Sequence, residues 1–133
     1  IVGARNIMVG FNVNLDTPDL EVAKRIVKTL RKSEFSPYLN AMAAYVPERK
    51  VTQIGMSVYN YRKAPLSRVS EQLEDLADAQ GVHLVDSEVV GAIPVAALVD
   101  VARRRLKIRN LDQRMVLEHS VLRAVDPETD EED

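Results

Sequence analysis

The 133-residue chain has no cysteine and no tryptophan. The missing cysteines rule out disulfides, thiolate metal sites, iron–sulfur clusters and cysteine nucleophiles together. Histidine is nearly as scarce: His83 and His119 are the two in the chain, neither has a metal-ligating neighbour at a useful spacing, and both read as structural or solvent-facing. Aromatic residues make up only 5%, so there is little material for a base-stacking platform. No apolar run approaches the roughly 18 residues of a membrane span, and the start, Ile-Val-Gly-Ala-Arg, has neither the charged nor the apolar region of a secretion signal. Phosphate loops, nucleophile elbows, dinucleotide fingerprints and H-E-x-x-H are also missing.

What is present is an ordinary globular composition, 46% hydrophobic and 29% charged, on a chain of single-domain size. The formal charge of −2 hides an asymmetry. Six of the twenty acids lie in residues 126–133, leaving eighteen basic against fourteen acidic residues, a net +4, on residues 1–125. Residues 1–125 are read as one domain and 126–133 as an acidic tail, disordered or a linker.

Residues 6–15 alternate, with Ile7, Val9, Phe11, Val13 and Leu15 on one side and Gly10, Asn12 and Asn14 on the other, which predicts a strand. Asp16-Thr17-Pro18 opens a helix, with Thr17 expected as N-cap and Pro18 at its first position. Its apolar stripe is Leu20, Ala23, Ile26, Val27 and Leu30, and its solvated side carries Lys24, Arg25, Lys28, Arg31 and Lys32. Strands follow over 38–46 and 51–59, the latter with Ile54, Met56 and Val58 on one face and Gln53, Gly55 and Ser57 on the other. A helix starts at Pro65 and stops at Gly81, a strand covers 82–90, and helices occupy 94–106 and about 111–123.

The order β-α-β-β-α-β plus C-terminal helices predicts an α+β fold, the ferredoxin-like split βαβ sandwich: a four-stranded antiparallel sheet with helices on one face. The first and third strands are then central, and their second face, bearing Gly10, Asn12, Asn14, Gln53, Gly55 and Ser57, is left open. Asparagine fits strands poorly and a buried amide needs partners, so Asn12 and Asn14 point either to a polar ligand contact or to a wet interface. Glu88 adds a carboxylate near a strand end. Tyr61-Arg62-Lys63 is a basic patch before a helix, a place that favours anions. The Arg103 to Arg109 run reads as a solvated helix end.

In order along the chain, Gly3-Ala4-Arg5, Phe11-Asn12-Val13-Asn14-Leu15, Gln53-Ile54-Gly55-Met56, Tyr61 to Leu66, Ser87 to Pro94 and Leu111-Asp112-Gln113 resemble the C-terminal subdomain of glutamate formiminotransferases. That resemblance implies transfer of a formimino group from N-formimino-L-glutamate to tetrahydrofolate, the folate co-substrate, in histidine degradation. It further implies a cytoplasmic homo-oligomer in which two ferredoxin-like subdomains enclose the ligands in a groove. The proton-moving histidine would belong to the N-terminal subdomain, the expected partner, so no catalytic residue is assigned here and the chain alone is expected to be inactive. Neither nucleic acid nor membrane is expected as a partner. Arg5, Asn12, Asn14, Gln53, Arg62, Lys63 and Glu88 are the candidate substrate or folate contacts. Gly55, Ser57 and Asn60 depart from the family pattern, as do Ala43 and Ala44 before Tyr45, and they suggest an alternative: a non-catalytic binding or assembly module derived from that family.

Overall fold

A computed structural model describes residues 7–125. The chain divides into two compact units between Ile93 and Pro94. Among the described residues no helix is long and apolar enough to cross a membrane.

The first unit runs β1 (Val9–Leu15), α1 (Leu20–Leu30), β2 (Leu39–Val46), β3 (Val51–Val58), α2 (Leu66–Asp78) and β4 (Leu84–Val90). All three strand pairings are antiparallel and the sheet order is β2-β3-β1-β4, the ferredoxin-like arrangement with β1 and β3 central. Alternation then sorts the side chains. Val9, Phe11, Val13 and Leu15 of β1 lie against Ile54, Met56 and Val58 of β3 on the covered side, all of them buried. The helices supply Ala23, Ile26 and Leu30 from α1 and Val69, Leu73 and Ala77 from α2, likewise buried. Each large aliphatic side chain so removed from water favours the folded chain by roughly 1.5–3 kcal/mol.

Helix α1 starts later than the sequence suggests. Asp19, not Thr17, is its N-cap: the Asp19 carboxylate accepts from the Glu21 N–H at 2.9 Å, and the Thr17 hydroxyl instead accepts from the Asp19 N–H at 3.1 Å. Pro18 tolerates this because it sits in the approach, where its missing N–H is not needed. Helix α2 ends as expected, with Gly81 at φ +73°, a left-handed value that glycine adopts without steric cost.

Strand β4 begins at Leu84 rather than Val82, and its register with β1 shifts between Asn14 and Leu15. Leu15 pairs with Leu84 and Asn14 with Asp86, so Val85 is the extra residue of a bulge. Without it Leu84 would share the open face with Asp86 and Glu88. The bulge turns Leu84 to the covered side and leaves both carboxylates on the other.

The second unit consists of α3 (Val95–Arg105), a 3-10 turn at Gln113–Met115 and α4 (Leu117–Val125). The helix expected over 111–123 is thus broken, because the Asp112 side chain caps the short turn through the Arg114 N–H at 2.8 Å. The last turn of α3 carries Arg103, Arg104 and Arg105, and Asp100 pairs with the first two at 3.0 Å each. The acidic tail 126–133 lies outside the described residues.

Candidate functional site

The open face is ordered in rows. Register places Met42, Gly55, Asn12 and Glu88 across the sheet in one row and Ala44, Gln53, Asn14 and Asp86 in the next. Met42, Ala44, Asp86 and Glu88 are exposed, Asn12 and Gln53 half-buried, and Asn14 only 2% exposed.

The two rows are knitted together by side-chain hydrogen bonds. The Gln53 amide donates to Asn14 Oδ1 and to Glu88 Oε1, both at 3.0 Å. Asn12 donates to the same Glu88 oxygen at 3.4 Å, a long contact, and Asn14 donates to Asp86 Oδ1 at 2.6 Å. Every buried polar function of Asn14 is therefore used, which is why an asparagine can sit inside a central strand. Asn14 sets the orientation of Gln53, and Gln53 in turn holds Glu88.

Asp86 is fixed from outside the sheet. Arg49, in the β2–β3 turn, donates from Nη2 to Asp86 Oδ2 at 2.6 Å and from Nη1 to Oδ1 at 3.2 Å. The Arg49 and Asn14 hydrogen bonds hold the Asp86 carboxyl below its ordinary range, and the same pairing raises the Arg49 guanidinium.

Two glycines make room for this arrangement. A side chain at Gly55 would come within 3.3 Å of Asn12 Oδ1, so the glycine lets the Asn12 amide lie across β3. At Gly10 a Cβ would meet the Val90 carbonyl oxygen at 2.9 Å, too close for any other residue without movement of β4.

Of the candidates read from the sequence, Asn12, Asn14, Gln53 and Glu88 come together in one network. Arg62 and Lys63 do not join it. They occupy the turn between β3 and α2, where Asn60 Oδ1 accepts both of their backbone N–H groups at 3.1 Å and the Arg62 guanidinium stacks 5.6 Å from the Tyr61 ring centre. Arg5 lies outside the described residues. His83 is used locally, its Nδ1 lying 3.1 Å from the Asp78 carboxylate while its backbone N–H donates to Asp16 at 2.7 Å. Among the described residues no group of three or more His, Cys, Asp or Glu could hold a metal ion.

Sequence reasoning missed Arg49 and Asp86. Asp86 could have been found, since it stands two residues before Glu88 and so on the same face of a strand. Nothing in the sequence points Arg49 to it.

Chemically, the face presents two fixed carboxylates flanked by amides on the open side of the sheet. Glu88 Oε1 takes both amide donors, and Oε2 has no partner among the described residues. Such a surface suits a flat ligand rich in N–H groups.

A family model described as the formiminotransferase domain matches residues 10–126. A glutamate formimidoyltransferase of Thermoplasma acidophilum is 34% identical over 129 residues, covering 96% of this chain and 43% of that protein. One from Streptococcus pyogenes serotype M1 is 37% identical over 123 residues, covering 91% and 41%. A formimidoyltransferase-cyclodeaminase of Gallus gallus is 25% identical over 118 residues, covering 84% and 22%. The chain spans less than half the length of these relatives.

Proposed function

The chain belongs to the formiminotransferase domain family, and from that premise we propose that it is the C-terminal half of a transferase moving the formimino group from N-formimino-L-glutamate to tetrahydrofolate, a step of histidine degradation. The observation that carries the reading is the amide-and-carboxylate network on the open side of the two central strands. An N-terminal formiminotransferase subdomain would cover that face and close the ligands between two sheets, in a cytoplasmic homo-oligomer.

The residues fit those ligands. A formimino group on nitrogen is an amidine, basic enough to be cationic near neutral pH, and the pterin of tetrahydrofolate offers several N–H donors. Glu88 supplies the negative charge and an open acceptor oxygen, and Asn12 and Gln53 fix its direction. Arg5, Arg62 and Lys63 are the groups suited to the carboxylates of glutamate and of the folate tail. Tetrahydrofolate supplies the nucleophilic nitrogen. This half of the site binds and orients, and a histidine from the partner subdomain moves the proton.

Of Gly55, Ser57 and Asn60, which raise the alternative of a derived non-catalytic module, Gly55 makes space for Asn12 and Asn60 caps a turn, while Ser57 has no such role. The structural roles of Gly55 and Asn60 favour the transferase reading over that alternative. The test joins this chain to its N-terminal half and measures formimino transfer. Gln53→Ala and Glu88→Gln should each lower kcat/KM by about 10-fold or more, the loss of a charge-assisted contact. Full activity in both variants overturns the assignment.

A further inference from the structure

Several charged side chains of the first unit are satisfied locally. Arg31 donates from Nε and Nη2 to the Ala41 carbonyl at 3.1 and 2.6 Å, Arg68 pairs with Glu34 at 2.6 Å and Lys24 with Glu21 at 2.7 Å. The two carboxylates of the open face differ in this respect. Asp86 is neutralised by Arg49, which directs both terminal nitrogens to it. Glu88 reaches Arg49 only through its field, forms no ion pair among the described residues, and takes neutral amides alone, Gln53 at 3.0 Å and Asn12 at 3.4 Å. Resting on the transferase reading, we infer that Glu88 selects the protonated form of the formimino group: the substrate binds here as its amidinium cation, and the charge of Glu88 separates it from glutamates that carry an uncharged amide of the same shape.

The amides next to Glu88 have one workable direction. A carboxylate accepts and cannot donate, so Asn14 turns its Nδ2 to Asp86, at 2.6 Å, and its Oδ1 to Gln53. Gln53 then commits its Nε2 to both Asn14 and Glu88, and Glu88 at the other end demands the same orientation. What this pair leaves unused is Gln53 Oε1 and Glu88 Oε2, neither with a partner among the described residues. Both accept. The group that fits them brings N–H donors, and a carboxylate is repelled.

Charge decides among the donors. While water wets the face, the exposed Glu88 is solvated. A subdomain laid over it removes that water, and a carboxylate then left without a cation is strongly unfavourable. The pterin of tetrahydrofolate offers N–H groups but is uncharged near neutral pH, as are formyl and carbamoyl groups. A formimino group carries a proton there. It is then a planar cation with donors on both nitrogens, suited to a charged acceptor beside a neutral one.

The test uses this chain joined to its N-terminal half and two glutamates of equal shape that lack a transferable formimino group: N-carbamimidoyl-L-glutamate, a cation at the relevant position, and N-carbamoyl-L-glutamate, neutral there. Isothermal titration near neutral pH should show the cation binding about tenfold or more tighter than the neutral analogue, a ratio read without any variant. Glu88→Gln keeps the shape and still accepts both amide bonds, and it should bring the two affinities to within about twofold. A wild-type protein that binds neither analogue, or a variant that keeps the preference, overturns the inference. Equal binding in the wild type also overturns it, and would mean that a lysine or arginine of the covering subdomain neutralises Glu88 instead. Formimino transfer is measured separately on the same protein: its absence strikes the transferase reading, whereas transfer without a cation preference strikes this inference alone.

Discussion

Arg49 grips Asp86 with two nitrogens, at 2.6 and 3.2 Å, and so ties the turn between β2 and β3 to the far edge strand of the sheet. The pair is half-exposed and screened by solvent, so its worth to overall stability is small. Its effect is local. Asp86 in turn receives the Asn14 amide, and Asn14 orients Gln53. Arg49→Met should therefore leave the urea midpoint nearly unchanged while the side-chain amide NMR signals of Asn14 and Gln53 shift and exchange faster. Unmoved signals would disconnect Arg49 from the network.

Acid should undo the same network. The Asp86 carboxyl is held below its ordinary value of 3.8, so the pair's contribution is complete above that pH and disappears as pH falls through the lower, folded-state value. Arg49 stays charged throughout. The Asn14 amide signals should stay constant from pH 7 to about 4 and move only below the ordinary carboxylate range. A transition at or above that range would show that Asp86 is not the group in control.

Gly10→Ala places a methyl group 2.9 Å from the Val90 carbonyl oxygen, a backbone atom that cannot swing aside. The β1–β4 pairing must part, at a cost of about 1–3 kcal/mol typical of overpacking. Urea denaturation measures it, and backbone amide exchange should localise the damage to β4. Gly55→Ala is the contrast: its neighbour at 3.3 Å is the end of the Asn12 side chain, which can rotate, so stability should hold while the Asn12–Glu88 contact is lost.

Thr52 is fully buried on the covered side of β3, and its hydroxyl has no hydrogen-bond partner among the described residues. Thr52→Val keeps the shape and removes the lone polar atom, so stability should rise by up to about 1 kcal/mol. A loss of more than that would reveal a bond made by the hydroxyl.

Asp19→Ala should cost about 1 kcal/mol in the same denaturation experiment, the usual worth of an N-cap. An unchanged midpoint would return the cap to Thr17.

Alternation on β1 and β3 and the helical stripes made the sheet order and the open face legible in the sequence, because a buried side repeats with the period of its element. The family resemblance rests on short blocks of residues, and the family match over residues 10–126 bears it out. What escaped notice depends on three-dimensional geometry. The bulge at Val85 leaves no mark in hydropathy, since Leu84 and Val85 are both apolar. Thr17 and Asp19 are both good caps, and only the path of the chain after Pro18 decides between them. Arg49 reads as a turn residue until the hairpin is seen to bring it to β4.

The guanidinium of Arg31 on the Ala41 carbonyl has a bearing on assembly as well. Strand β2 is an outer edge of the sheet, and open backbone groups on such an edge invite a stray strand to add itself. Here a charged side chain from the neighbouring helix already occupies one of the rungs such a strand would need. Further layers of sheet growing sideways from β2 would first have to evict it.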